Sequence, residues 1–269
     1  MGVKIVSSDL NGTLVHQHTM SDMIKVYLGE EKFKKADVVF KKQTSGTATM
    51  EEAFENAGPL TRGLTLRQAL EYTEYEMNYV NGFSHFIDLL QARNIPFIIN
   101  STGYDVTIFA IRALVGKNKI HGSIGNTLEF AEEGSIGAVV KLEELEEMVD
   151  DFFTKDRTKP IYDSIKATGR VHLGILNEGA KAKLLLEYVQ RNFPSVQSEG
   201  LMHMGDTIGD VGGIVGVAQA GGIGIAFNYN QALKDRLDDE LQKDPEKKIY
   251  FVDKKGLNSD LRNVFAFLS

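Results

Sequence analysis

Several short apolar runs of this chain end in polar side chains, and aspartates dominate that set. Asp9 follows the run at 3–6, and Asp206 follows the run at 201–204. Asp206 and Asp210 stand four residues apart, so one turn of chain directs both carboxylates to the same place. Paired carboxylates suit a hard cation that prefers oxygen ligands, and Mg²⁺ is the best fit.

Further groups of the chain are suited to binding a phosphate beside these carboxylates. Ser101 and the backbone amides of Thr102 and Gly103 precede a predicted helix, and amides at the start of a helix commonly bind anions. Lys181 begins a later helix and offers a point charge to a phosphate oxygen. An aspartate nucleophile, a cation, hydroxyl and amide donors and a lysine are together what phosphoryl transfer requires.

The elements that would position these groups alternate between strands and helices after residue 83. Apolar runs predict one strand before Asp9 and others at 97–100, 201–204, 223–227 and 249–252. Parallel strands bring their carboxyl ends to one edge of a sheet, where open α/β folds bind ligands. The sequence therefore predicts an α/β fold with a doubly wound, mainly parallel sheet, and Asn228 joins the polar groups at its edge.

The segment between the first two predicted strands has a different pattern. Apolar residues recur there at helical spacing, and no strand pattern occurs between about 16 and 80. A helical block at this position predicts a small all-helical cap at 17–81. The α/β core would then consist of residues 1–16 and 82–269.

The region after the second strand is less regular. A β-hairpin is expected at about 124–136, with its turn at Glu132-Glu133-Gly134. An acidic amphipathic helix is predicted at 142–153, an irregular segment at 155–169 and a strand at 171–175.

The composition excludes several classes of function. The formal net charge is −7, the pI is about 5.5 and the chain has no basic tract, so nucleic acid is not an expected partner. No apolar run reaches the roughly 18 residues of a membrane span. The absence of cysteine excludes disulfides and fits a reducing interior, so we expect a cytoplasmic protein.

The order of the candidate residues resembles the haloacid dehalogenase superfamily of aspartate-nucleophile phosphatases. The first motif of that family is similar to Asp9-Leu10-Asn11-Gly12-Thr13, and its second to Ser101 after an apolar strand. Lys181 is similar to the third motif, and the run Gly205 to Asp210 to the fourth. The resemblance covers almost the whole chain and favours Lys181 over the nearby Lys183, because apolar residues follow Lys181 at the family's positions.

This resemblance implies a role for each residue. Asp9 would attack phosphorus and form an aspartyl-phosphate. The Asp9 carboxylate, the Asn11 backbone carbonyl and Asp206 would bind Mg²⁺, and Asp210 would steady a metal-bound water or Lys181. The implied phosphate-binding residues are Thr13, Ser101, Thr102, Gly103 and Lys181. The implied activity is Mg²⁺-dependent hydrolysis of a small phosphorylated metabolite.

Within the superfamily, the helical insert and the sequence at 101–104 are most similar to phosphoserine phosphatases. That subgroup has an acidic residue where this chain has His18, and an arginine where it has Ala57. Both are charge partners of the substrate, and losing such a partner is costly, so phosphoserine is not the expected substrate. The stretch 142–169 is also longer than in that subgroup. It is either an inert surface excursion, a contact of a homodimer or an extra lid.

Asn11 occupies the position of the family's second aspartate, the general acid and base. An amide cannot transfer a proton at neutral pH, and losing acid–base catalysis costs about 10²–10⁴-fold in rate. Asn11 is either an engineered replacement, a feature of a naturally slow enzyme, or a mark of a phosphate-binding regulatory protein; a phosphotransferase is a further alternative. His16 and His18 lie near enough in sequence to supply a substitute acid, although such residues are more often hinge or surface residues.

Overall fold

The structure, a computed structural model, describes residues 2–45, 47–132, 139–177 and 179–269. Within these ranges seven strands form one sheet in the order β4-β3-β2-β1-β5-β6-β7. The strands are β1 Ile5–Ser8, β2 Phe97–Tyr104, β3 Gly122–Glu132, β4 Ile165–His172, β5 Leu201–Gly205, β6 Ile223–Tyr229 and β7 Ile249–Lys254. Every neighbouring pair is parallel except β3 with β4, which confirms the predicted mainly parallel sheet.

Helices cover both faces of this sheet. They are α1 Thr19–Leu28, α2 Glu30–Thr44, α3 Met50–Ala57, α4 Leu66–Glu71, α5 Phe83–Ala92, α6 Asp105–Val115, α7 Leu142–Thr154, α8 Ile161–Ser164, α9 Ala180–Asn192, α10 Val211–Gln219 and α11 Gln231–Lys243. Successive strand residues point to opposite faces. Ile5 accordingly packs with α9, whereas Val6 packs with Phe86 of α5. The predicted doubly wound architecture is therefore confirmed.

Between β1 and β2, the residues that the structure describes form helices and connecting loops but no strand of the sheet. Local capping explains where two of these helices begin. Thr49 and Glu52 form a reciprocal capping box at α3, and Thr65 and Gln68 form another at α4. Buried apolar residues of this insert belong to the same cluster as residues of the sheet. The division into domains at 17 and 81 stays a prediction.

The region after β2 corrects two sequence predictions. The local hairpin expected at 124–136 is reduced, among the described residues, to a bridge between Ala131 and Val139, and residues 133 and 134 of its turn lie outside them. β3 pairs instead with β4, which begins at Ile165 and ends at His172. The predictions of an irregular segment at 155–169 and of a strand at 171–175 were therefore wrong. Cross-strand contacts of the buried Glu129 favour this register, since it accepts hydrogen bonds from Thr168 at 2.8 Å and from Arg170 Nε at 2.7 Å.

The long stretch at 142–169 packs against both the core and the helical insert. Glu146 of α7 pairs with Arg112 of α6 at 3.0 Å, and Asp163 of α8 pairs with Arg67 of the insert at 2.8 Å. Its predicted roles in a dimer or a lid stay predictions. No helix in the described ranges has both the length and the apolar character that a membrane crossing requires.

Candidate active site

The candidate site lies where the strand order of the sheet changes direction. β1 has β2 on one side and β5 on the other, and such a switch point is where doubly wound folds bind ligands. Asp9 directly follows β1, and its amide donates to the Met204 carbonyl of β5 at 2.9 Å. Gly12 has a φ of +77°, and a Cβ at this position would lie 2.2 Å from Asp206 Oδ2. The loop after β1 therefore needs glycine at position 12 to approach Asp206.

Lys181 joins two of the predicted carboxylates. Its ammonium lies 2.9 Å from Asp9 Oδ1 and 2.5 Å from Asp210 Oδ1. The other oxygen of Asp210 accepts hydrogen bonds from the amides of Asp206 and Thr207, at 3.0 and 3.2 Å. The side chains of Asp9, Lys181, Asp206 and Asp210 are all almost completely buried. Residues that are far apart in sequence therefore form one buried ionic cluster.

The charges of this cluster do not balance. Burial raises the pKa of Asp9 to about 6, against the opposing effect of Lys181. Burial also raises the pKa of Asp206, and the nearby charges of Asp210 and Asp9 add to the increase. Although burial alone would raise the pKa of Asp210 as well, the Lys181 ammonium lowers it. Lys181 thus stabilises the ionised form of Asp210 most and leaves Asp206 without a buried cationic partner.

This donor set suits a hard divalent cation. Carboxylate oxygens of Asp9, Asp206 and Asp210 lie within 4.8 Å of one another. Asp206 also accepts a long hydrogen bond from Thr13 Oγ1, at 3.4 Å. Its nearest ammonium is that of Lys255, 3.5 Å away on a side chain that is 54% exposed. Buried oxygen donors with excess negative charge are what Mg²⁺ requires of a protein site.

The structure places Ser101 beside Asp9, near the end of β2. Ser101 is fully buried, and its hydroxyl lowers the pKa of Asp9 as one of several weaker influences. β2 continues to Tyr104, and α6 begins only at Asp105. The amides of Thr102 and Gly103 therefore lie in the last residues of β2, shortly before α6. The Gly103 amide donates to Ser101 Oγ at 3.1 Å.

Asn11 connects the loop after β1 to the helical insert. Its side-chain oxygen accepts hydrogen bonds from the amide and the hydroxyl of Thr19, each at 2.8 Å. Thr19 is the first residue of α1, so the side-chain oxygen of Asn11 binds the start of that helix. Lys183, the rival of Lys181, lies on the exposed face of α9, where its ammonium is 3.8 Å from Glu187.

Asn228 is a residue of the site to which the sequence assigned no role. Its side chain donates to the Gly12 carbonyl at 2.5 Å and accepts from the Gly256 amide at 3.0 Å and the Ser259 hydroxyl at 2.7 Å. Its φ of +52° is unusual for a residue other than glycine, although asparagine tolerates it. Asn228 thereby joins the loop after β1 to the turn that carries Lys255. The sequence signal was an asparagine at a strand end.

A cleft of about 460 Å³ opens over the ionic cluster. The insert contributes one wall, lined by His16, Gln17, His18, Gln43, Thr44 and Met50. The His18 ring packs on Phe40, with ring centroids 4.6 Å apart, and its Nδ1 lies 3.1 Å from Ser21 Oγ. Burial lowers the pKa of His18 to about 4, so the ring is neutral near pH 7. Ala57 is fully buried in α3 and does not line the cleft.

No protein-family model and no curated protein matches this sequence, but solved structures share its fold. A phosphoserine phosphatase with a phospho-aspartyl intermediate analogue is 18% identical over 100% of both chains, with a TM-score of 0.68. A substrate-bound phosphoserine phosphatase is also 18% identical over 100% of both chains, with a TM-score of 0.67. A HAD family hydrolase from Salmonella enterica subsp. enterica serovar Typhi is 16% identical, with 88% of this chain and 66% of that one covered and a TM-score of 0.64. These similarities confirm the predicted fold of the haloacid dehalogenase type.

Proposed function

We propose that this protein is an Mg²⁺-dependent phosphomonoester hydrolase that forms an aspartyl-phosphate on Asp9. The observation that carries the proposal is the buried bridge from Lys181 to Asp9 and Asp210 at the switch point of the sheet. A lysine beside a buried carboxylate keeps an oxygen nucleophile ionised and offers a positive charge to a phosphoryl group. The fold shared with phosphoserine phosphatases supports the same chemistry.

In the first step a carboxylate oxygen of Asp9 bonds to phosphorus, and the bond from phosphorus to the alcohol oxygen breaks. Ser101 Oγ and the nearby amides would donate to the phosphoryl oxygens together with Lys181. The Asp9 carboxylate, the Asn11 carbonyl and Asp206 would hold Mg²⁺, which supplies positive charge against the phosphoryl oxygens. The leaving alkoxide must take a proton from water, because Asn11 has none to give.

In the second step a water oxygen bonds to phosphorus, and the bond from phosphorus to Asp9 breaks. This restores the carboxylate and releases inorganic phosphate. An aspartate at position 11 would accept the proton of that water, whereas the Asn11 amide cannot. We therefore expect the aspartyl-phosphate of this chain to be hydrolysed slowly.

The same residue favours a second candidate function. A long-lived aspartyl-phosphate can pass its phosphoryl group to an acceptor alcohol, as in a phosphotransferase. The oxygen of Asn11 already accepts two hydrogen bonds from Thr19, so only its NH₂ group remains for an incoming acceptor. A regulatory protein that binds phosphate without turnover is the remaining alternative.

The test uses an aryl phosphate with Mg²⁺, the chain as it stands and its Asn11→Asp variant. We expect about 10²–10⁴-fold faster steady-state turnover in the variant. Acid-quenched single turnovers should show phosphorylated protein that persists longer in the original chain. Phosphate transfer to an added alcohol in preference to water would favour the phosphotransferase. Folded protein without turnover or phosphorylation in either form would refute both enzymes.

A further inference from the structure

We propose that the cleft selects phosphate monoesters whose leaving alcohol is uncharged and carries hydroxyl groups, as in a polyol. The inference rests on the proposed function and adds the class of substrate. It comes from the chemistry of the insert wall, whose side chains would contact the part of the substrate beyond the phosphate.

The insert wall offers hydrogen-bonding groups but, apart from the imidazoles of His16 and His18, no ionisable side chain among the described residues. Gln43 lines it with a side chain that can both donate and accept, and the Thr44 hydroxyl, which donates to the Lys41 carbonyl, can still accept. Both polar atoms of the Gln17 side chain are hydrogen-bonded to the backbone of Glu76 and Asn78. Among the described residues that line the cleft, Lys255 is the only lysine, arginine, aspartate or glutamate outside the cluster of Asp9, Lys181, Asp206 and Asp210. A leaving alcohol in this cleft therefore meets amides and hydroxyls on the insert side.

A cationic leaving group has no partner in these surroundings. The Lys255 ammonium would repel it, and His18, which packs on Phe40, offers a neutral ring. Charges of like sign brought together during binding are strongly unfavourable. The aspartates of the cluster do not provide a substitute, because they are assigned to phosphoryl transfer and lie at the base of the cleft.

An anionic leaving group is also disfavoured. Lys255 is the only lysine or arginine of the described lining outside the ionic cluster, and its ammonium already lies 3.5 Å from Asp206. A second anion would approach the carboxylates of the cluster once the phosphate has been bound. Hydroxyl groups, in contrast, can exchange hydrogen bonds with Gln43 and Thr44 without an ionic partner.

The experiment uses pairs of esters that differ in one charged group. Hydroxyethyl phosphate and phosphoethanolamine differ only by a hydroxyl in place of an ammonium. Glycerol phosphate and phosphoglycerate differ only by a hydroxymethyl group in place of a carboxylate. We expect kcat/KM to be at least about tenfold higher for the neutral member of each pair. Equal values, or a preference for either charged member, would overturn the proposal.

A matched variant tests whether the insert wall is responsible. Gln43→Glu keeps the shape of the side chain and adds a carboxylate to the wall, so it should raise kcat/KM for phosphoethanolamine relative to hydroxyethyl phosphate by at least about fivefold. Gln190→Glu adds the same charge on the exposed end of α9 and should leave the ratio unchanged. If Gln43→Glu leaves this ratio of kcat/KM values unchanged, or if Gln190→Glu shifts it equally, the insert wall is not the source of the selectivity.

Para-nitrophenyl phosphate separates failure of this inference from failure of the proposed function. Its hydrolysis without discrimination within the pairs would overturn the substrate class alone. If it is not hydrolysed and no phosphorylated protein forms, the proposed function fails. Calorimetric binding of the same esters then decides the inference. Tighter binding of the neutral members would support it, and equal binding would contradict it.

Discussion

The two walls of the cleft differ in how tightly their side chains are held. On the sheet side, Asp9, Lys181 and Asp210 are almost fully buried and joined by hydrogen bonds of 2.5 to 2.9 Å. On the insert side, Gln43 and Thr44 are only half-buried. Preorganised groups serve a reaction step, whereas adaptable polar groups suit the recognition of a leaving alcohol. The difference leads us to expect that chemistry and substrate choice depend on separate parts of this molecule.

The two walls also differ in how the chain builds them. The sheet wall forms where strands from distant parts of the sequence end at one edge. The insert wall comes from the chain before α1, the end of α2 and the start of α3, whose first turn is set by the local cap Thr49. Changes on the sheet side should therefore affect kcat, and changes on the insert side should affect KM.

The largest effect is expected at the nucleophile. Asp9→Asn should lower turnover of any phosphomonoester by at least about 10⁴-fold, because the amide cannot form the aspartyl-phosphate. The measurement is kcat for an aryl phosphate, with acid-quenched samples examined for phosphorylated protein. Circular dichroism controls for folding. Turnover that survives in the folded variant would remove Asp9 from the mechanism.

Lys181→Met should lower kcat/KM by about 10²–10³-fold and leave Asp9 and Asp210 as buried carboxylates without their partner. Such a loss costs about 3–5 kcal/mol of the free energy of unfolding. Lys183→Met, on the exposed face of the same helix, is the matched control. It should change kcat/KM by no more than about twofold and the free energy of unfolding by no more than about 0.5 kcal/mol.

The destabilisation in Lys181→Met should depend on pH. Lys181 lowers the pKa of Asp210, so their pairing stabilises the folded protein above the unfolded pKa of aspartate and is lost as pH falls through the lower folded pKa. Urea titrations should thus show the largest difference from the original chain at pH 7 and above. A difference that grows as pH falls would contradict this assignment.

Asn228→Asp should lower kcat/KM by about tenfold, because a carboxylate cannot donate to the buried Gly12 carbonyl. The Mg²⁺ concentration for half-maximal activity should rise as well, since Gly12 adjoins the carbonyl of Asn11. Ser259→Ala, which removes one of the two donors to Asn228, should have a smaller effect of the same kind. A larger effect in Ser259→Ala would contradict a positioning role for Asn228.

Asp206→Asn should stabilise the metal-free protein near pH 8, because it removes an unfavourable buried charge. Burial and the neighbouring carboxylates raise the pKa of Asp206, so its contribution to stability is present at low pH and is lost as pH rises through the folded pKa. The gain should therefore disappear near pH 4. Denaturation in a chelator measures it, and a gain that increases at low pH would be evidence against the raised pKa.

Mg²⁺ provides the companion measurement for this variant. At ten times its dissociation constant, Mg²⁺ should stabilise the original chain by about 1.4 kcal/mol, which raises Tm by about 2–5 °C. Asp206→Asn should show little or no increase. An equal increase in both proteins would place the cation outside the predicted site.

The smallest effect is expected on the insert side. His18→Gln should change KM by about two- to fivefold and leave kcat unchanged, since it alters one hydrogen-bonding group of the wall. The pH profile of kcat between 6 and 8 should also stay unchanged, because the His18 pKa of about 4 leaves the ring neutral there. A limb of the profile that disappears in His18→Gln would show that this histidine substitutes for the missing aspartate.

The sequence by itself determined the local features of this protein. The apolar run before Asp9 predicts a buried strand, and helical spacing between 17 and 81 predicts the helical insert, because side-chain periodicity is a property of neighbouring residues. The sequence also shows asparagine at position 11, where the family resemblance implies an aspartate. Each of these inferences depends on a short stretch of chain.

Only the tertiary structure decided which of these groups meet. Lys181 reaches Asp9 across 172 residues and Asp210 across 29, and Asn228 reaches Gly12 across 216. The pairing of β3 with β4 likewise joins strands separated by α7 and α8, which is why the local hairpin prediction failed. The physical reason is that a buried charge or amide is stabilised by whichever partner the packed fold brings within hydrogen-bond distance, and no local pattern specifies that partner.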